Sequence, residues 1–185
     1  MTICIFPGTF NPIHIAHIKM AQFALEKFGF EKIIFIPAYI PPHKDINKNL
    51  AKHRYNMVKL AVDKNSKFDI SDIEYKSEGK SYSLITVKKI RELYGITDRL
   101  NFIIGTDAFN KIKTWYKADE LKNLVHFIVF PRIGDTIDIR EFEGYSFELV
   151  DMKEIDVSST ELREHIKNDT SKEVKEYIAK YELYN

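Results

Sequence analysis

Short runs that are apolar on consecutive residues restrict the fold of this chain more than any other feature. Thr2 to Phe6, Ile33 to Ile36, Leu100 to Ile104 and Val125 to Phe130 are too short for helices and rich in Ile, Val and Phe. A strand with one wet face alternates apolar and polar residues, whereas a strand apolar at every position is covered on both faces, as in a parallel sheet. Between the runs lie stretches with helical spacing. Residues 15 to 28 carry Ala21, Ala24, Leu25 and Phe28, residues 50 to 62 carry Met57, Leu60 and Ala61, and residues 82 to 94 carry Leu84, Val87, Ile90 and Leu93.

Strand and helix therefore alternate, which predicts an open α/β sheet with ligands gathered at the carboxyl ends of its strands. With 185 residues and 44% hydrophobic content, one core can bury enough apolar surface. The sequence has no repeat, low-complexity tract or Gly/Ser linker to divide it. From Ser158 to Asn185 two short helices are expected, split near Asn168 to Ser171, the second amphipathic through Val174, Ile178 and Tyr181. The expectation is a single domain over residues 1–185: a Rossmann-like open parallel sheet with helices on both faces and a helical C-terminal cap over 158–185. Pro37 to Asn49, with three prolines, reads as the most irregular loop.

Charge narrows the function classes. Lys plus Arg (28) nearly balances Asp plus Glu (27), so the summed field that draws a protein onto nucleic acid or an anionic membrane is missing. The lone cysteine, Cys4, sits inside an apolar run, which suits a core thiol and a reducing compartment. No basic leader precedes a long apolar stretch, and no window approaches the roughly 20 apolar residues of a bilayer span. A cytoplasmic protein without nucleic-acid or membrane partners is expected, and a homo-oligomer is left open.

Two segments carry the chemistry. After the first strand comes Pro7-Gly8-Thr9-Phe10-Asn11-Pro12-Ile13-His14-Ile15-Ala16-His17 and then a helix, where the α/β rule places a phosphate. Gly8 there lets backbone N–H groups approach an anion, and the helix offers its positive end. His14 and His17, if the helix has begun by His14, project to one face of its first turn and can grip the same phosphates. The competing readings are a plain turn with surface histidines, or a zinc pair, for which third and fourth ligands at the usual spacings are missing. Near the other end, Ser158-Ser159-Thr160-Glu161-Leu162-Arg163 opens a helix. Ser158 with Glu161 is a complete capping box, yet three hydroxyls, free N–H groups and Arg163 one turn on also suit an anion. Cap and clamp are compatible.

Together, Gly-Thr-Phe-Asn-Pro-Ile-His-x-x-His and Ser-Ser-Thr-x-Leu-Arg resemble the adenylyltransferase branch of the nucleotidyltransferase superfamily. Within it the chain is similar to the bacterial nicotinate mononucleotide adenylyltransferases. Further matches follow in the family's order: Pro41-Pro42-His43-Lys44, Ser81-Tyr82-Ser83, Gly105-Thr106-Asp107, Trp115-Tyr116 and Arg132-Ile133-Gly134. Asn11, Pro7, Ala16, Ile85 and Ile133 depart from the family's usual residues.

The resemblance implies transfer of AMP from ATP to nicotinate mononucleotide, with Mg²⁺ carried mainly by phosphates and water. It assigns His14 and His17 to the ATP phosphates, with Gly8, Thr9 and Phe10 lining the same loop. It gives the β- and γ-phosphates to Ser159, Thr160 and Arg163, with Ser158 beside them in the nucleotide site, and the adenosine to Gly105 and Asp107. The pyridine ring falls to Trp115, Tyr116, Tyr82 and Ser83, and nucleotide phosphates to Lys44 and Arg132. Rival readings are nicotinamide mononucleotide or phosphopantetheine as acceptor, a nucleotide-binding regulatory domain without catalysis, and a fragment of a class I aminoacyl-tRNA synthetase. Length and the missing basic surface count against the last.

Overall fold

The computed structural model describes residues 2–44, 47–132, 134–151 and 169–184. Its strands are β1 (Ile3–Gly8), β2 (Lys32–Pro37), β3 (Phe68–Ile70), β4 (Leu100–Gly105), β5 (Val125–Phe130) and β6 (Phe147–Leu149). They form one sheet in the order β3-β2-β1-β4-β5-β6, every neighbouring pair parallel. The helices are α1 (Ile15–Phe28), α2 (Ala51–Val62), α3 (Ser83–Leu93), the short α4 (Thr106–Phe109), α5 (Ala118–Leu124) and α6 (Lys172–Lys180).

Because successive strand residues point to opposite faces, each central strand feeds two cores. Cys4, Phe6, Ile33, Phe35, Ile103 and Ile128 meet α1, α2 and α6 through Ala21, Ala24, Met57, Val58 and Val174. Ile5, Ile34, Phe102, Phe127 and Val129 meet α3, α4 and α5 through Leu84, Val87, Ile90, Phe109 and Leu121. This is the expected parallel sheet covered on both faces. The strand order reverses between β1 and β4, and the crevice outside their carboxyl ends is where ligands of such sheets bind.

Four expected strands and three expected helices are present, with two kinds of difference. Leu60 and Leu93, expected on buried stripes, are 36% and 68% exposed. At about 100° per residue, each lies about two and a half turns beyond a buried residue, Ala51 or Leu84, and so faces the opposite way. On α2 the buried stripe instead runs through Ala51, Arg54, Met57, Val58 and Val62. The edge strands β3 and β6 were not expected; each is three residues long and has a carboxylate at its centre, Asp69 or Glu148. Of the C-terminal pair of helices, α6 packs on α2, where the Tyr177 hydroxyl lies 2.9 Å from both His53 Nδ1 and Asn56 Nδ2. Tyr181, expected on its apolar face, is 45% exposed. The helix expected from Ser158 lies outside the described residues.

Candidate functional site

The segment between β1 and α1 is shaped by an aromatic ring. Phe10 takes φ 47°, and its side chain turns into the core, with ring centroids 5.5 Å from Phe6, 5.9 Å from Phe35 and 5.0 Å from His17. A Cβ placed on Gly8 would come within 2.7 Å of Phe10 Cζ. The ring packed over Gly8 is thus a packing reason for glycine here, beside the approach of an anion expected from the sequence. Phe10 offers the loop only its backbone.

His14 is the residue before α1, outside the first turn, since the helix begins at Ile15. The two imidazoles nevertheless stack, centroids 3.6 Å apart and planes 29° apart. The His14 backbone N–H donates to His17 Nδ1 at 3.2 Å. An accepting Nδ1 places the proton of the neutral ring on Nε2, which makes Nε2–H a donor. Burial, helped by the nearby charges of His14, Arg132 and Lys44, pushes the His17 pKa well below its ordinary value. Burial and Arg132 bring His14 down to about 4. Both rings are therefore neutral at pH 7, and His14 Nδ1 is buried with no partner among the described residues. The end of α1 is less open than expected, because the Ile15 N–H already donates to the Asp169 carbonyl at 2.8 Å.

Long-range ¹H–¹⁵N spectra of the ligand-free protein should show His17 as the Nε2–H tautomer at pH 7 and His14 titrating near pH 4. Unfolded histidine takes a proton near pH 6.5, which folded His14 refuses until about 4, so stability should fall as pH drops through that window. An Nδ1–H tautomer for His17, or a His14 titration near 6.5, would overturn this description.

Across the switch point, β4 ends at Gly105 and β5 leads to Arg132. Asp107 Oδ1 lies 3.2 Å from Arg132 Nε. A Cβ on Gly105 would sit 2.8 Å from Asp107 Oδ1 and 3.4 Å from Arg132 Nε, so the glycine makes room for that pair. Buried Thr106 fixes the surroundings: its hydroxyl accepts the Arg132 N–H at 2.9 Å and donates to Asp135 at 3.0 Å. Arg132 is near enough to both histidines to hold down their protonation, and Lys44 to His17. His14, His17, Asp107 and Arg132 thus gather at the carboxyl ends of β1, β4 and β5, with Lys44 on the loop after β2 adding to the positive field at His17.

Beside them the loop after β2 borders an open cavity of about 410 Å³, walled by Tyr39 to Lys44 with Lys48 and Lys80. The half-buried Trp115 has its ring 6.5 Å from that of His43 and 6.3 Å from that of Phe102. Tyr82 and Tyr116 stack at 4.5 Å, and Ser83 opens α3. Ser158, Ser159, Thr160 and Arg163 lie outside the described residues. The sequence reading missed Arg54 and Glu74, buried charges whose hydrogen bonds reach the loop after β2. The available signal was an arginine on the stripe of α2 that also carries Met57.

Residues 5–165 match the Cytidylyltransferase-like family. The "Probable nicotinate-nucleotide adenylyltransferase" of Caldicellulosiruptor saccharolyticus is 38% identical over 197 residues, covering 100% of this chain and 99% of that protein. A protein of the same name from Clostridium botulinum is 41% identical over 188 residues, covering 94% and 90%. Among solved structures, the Plasmodium falciparum nicotinic acid mononucleotide adenylyltransferase complexed with NaAD superposes with TM-score 0.75 at 23% identity, covering 99% of this chain and 97% of that one. That likeness shows the shared fold.

Proposed function

The chain belongs to the Cytidylyltransferase-like family, and from that membership and its full-length identity to nicotinate-nucleotide adenylyltransferases we propose that it transfers the adenylyl group of ATP to nicotinate mononucleotide. The products are deamido-NAD and pyrophosphate, a step of NAD biosynthesis. One structural observation supports the reading above the rest: two stacked, neutral imidazoles beside Arg132 and Lys44 at the switch point of the sheet.

A phosphate oxygen of the mononucleotide attacks the α-phosphorus of ATP in line, and the bond to the β-phosphate oxygen breaks. The attacking group is already an anion, so the protein's task is alignment and stabilisation of charge. His17 donates from Nε2 to a phosphate oxygen, and His14 supports the same triphosphate. Thr9 and Phe10 line it through their backbones, while Ser159, Thr160 and Arg163 hold the β- and γ-phosphates with Ser158 beside them. Gly105 and Asp107 face the adenosine. Lys44 and Arg132 meet nucleotide phosphates. Trp115, Tyr116 and Tyr82 present faces to the pyridine ring, and the backbone at Ser83 receives its carboxylate.

Mg²⁺ takes oxygen ligands in octahedral geometry. The described side chains gathered here are mainly hydrogen-bond donors suited to phosphate oxygens, and the one carboxylate beside them, Asp107, is paired with Arg132. They do not form a site for the bare ion, so Mg²⁺ is proposed to arrive on the phosphates, and no step is assigned to it. Among the described residues no helix is long and apolar enough to cross a membrane. We place the enzyme in the cytoplasm as a single unit over residues 1–185.

Pyrophosphate release from ATP with each acceptor tests the reading. Nicotinate mononucleotide should support turnover at least about tenfold better in kcat/KM than nicotinamide mononucleotide, the gap left by about one well-made hydrogen bond to charge. Phosphopantetheine should give none. Preference for the amide or for phosphopantetheine would reassign the acceptor, and silence with all three would leave a nucleotide-binding domain without catalysis.

A further inference from the structure

Two buried charges take no part in the proposed reaction, yet both act on one residue of the pocket wall. Arg54 is 0% exposed and holds three backbone carbonyls: Nη1 donates to Thr9 at 2.8 Å and Ala38 at 2.6 Å, and Nη2 donates to Tyr39 at 3.1 Å. One planar fork thereby joins the segments leaving β1 and β2. Glu74, 6% exposed, accepts the Tyr39 N–H at 3.3 Å on one oxygen and the Thr86 hydroxyl of α3 at 2.7 Å on the other. Ser81 closes the arrangement. Its hydroxyl oxygen accepts the N–H groups of Tyr39 and Ile40 at 3.0 and 3.1 Å, and its own N–H donates to the Ile40 carbonyl at 2.8 Å.

Tyr39 is therefore gripped from both ends of its backbone, carbonyl by guanidinium and N–H by carboxylate and hydroxyl. We infer that Arg54, Glu74 and Ser81 are positioning residues for the acceptor: they fix Tyr39 and Ile40 at the root of the loop whose Lys44 is proposed to meet a nucleotide phosphate and whose His43 ring lies 6.5 Å from that of Trp115. This rests on the acceptor reading given above.

The energetics favour a purpose beyond holding the sheet together. Burying charged groups is costly, and apolar packing of the same volume is often as stable or more so. Burial pushes the Glu74 carboxyl up against the opposing hydrogen bonds of Ser81, Thr86 and Tyr39, and it lowers the Arg54 guanidinium. That cost falls where the chain leaves a regular strand for a loop with two prolines, Pro41 and Pro42, and where only fixed donors and acceptors define the path. Two adjacent residues of that path, Tyr39 and Ile40, wall the cavity of about 410 Å³.

The test uses the full-length protein and separates a positioning role from a merely structural one by its kinetic signature. Glu74→Gln should raise KM for nicotinate mononucleotide about tenfold, the loss of one charge-assisted hydrogen bond, with KM for ATP within about twofold. Ser81→Ala should shift the same constant in the same direction and speed exchange of the Ile40 amide hydrogen. Arg54→Lys, which loses the fork to Thr9 as well as to Tyr39, should raise KM for both substrates. The proposal is overturned if folded Glu74→Gln and Ser81→Ala proteins melt at lower temperature but keep the wild-type acceptor KM, or lose kcat alone. Where Glu74→Gln does not fold, Ser81→Ala decides. Should the wild type reject nicotinate mononucleotide, the acceptor reading fails; the positioning claim is then judged on Ile40 amide exchange and on KM for the acceptor that is used.

Discussion

His17→Ala is expected to lose at least a hundredfold in kcat while still binding ATP. Removing one preorganised donor aimed at developing charge costs on the order of 2.7–4 kcal/mol in the transition state. The geometry makes His17 the stronger candidate of the pair. Its Nδ1 is held by the His14 N–H at 3.2 Å, which fixes both the tautomer and the plane of the ring, and Phe10 packs edge-on against it at 5.0 Å. His17→Gln, which restores an N–H near the position of Nε2, should recover part of the loss. Single-turnover measurement of pyrophosphate release distinguishes slow chemistry from weak binding. Near-normal turnover in the alanine variant, with a folded spectrum, would remove His17 from the mechanism.

Phe10→Ala should cost about 3–5 kcal/mol of stability, the usual range for deleting a buried aromatic ring. Phe10 is 3% exposed and contacts Phe6, Phe35 and His17, so its loss opens a void under the histidine as well as in the core. A second substitution makes the expectation sharper. Gly8→Ala in the wild type drives a methyl to 2.7 Å from Phe10 Cζ and should cost about 1–3 kcal/mol by overpacking. In the Phe10→Ala background that methyl has space, and the same change should be close to neutral. Denaturant unfolding of the four proteins measures the coupling. Additive costs would show that Gly8 is required for another reason.

The interior of the sheet was legible because strands covered on both faces lose the polar half of their alternation. Ile33 to Ile36 and Val125 to Phe130 have no other sensible place to go. The edges were not legible, since Phe68–Ile70 and Phe147–Leu149 each bury a single side or less and carry an acid in the middle. Helix bounds were legible to within a residue, but the buried face was not: apolar residues spaced three apart drift around the helix, which carried Leu60 and Leu93 into solvent. At the site, local motifs marked His14, His17 and Asp107 because glycine turns and helix starts leave a pattern in neighbouring residues. Arg54 and Glu74 leave no such pattern. Arg54 holds main-chain carbonyls up to 45 positions away and Glu74 a main-chain N–H 35 positions away, and a backbone atom has no letter in the sequence.

The hydrogen bonds that Ile15 and Asn11 make with Asp169 and Tyr184 bear on the timing of biosynthesis. The Tyr184 hydroxyl and Asn11 Oδ1, 2.5 Å apart, are separated by 173 positions of chain. At the ~5–20 residues per second of ribosomal elongation, the histidine loop waits on the order of ten to thirty seconds for these contacts. A nascent chain can assemble β1 to β5 before then, so the scaffold precedes the finishing of the histidine loop.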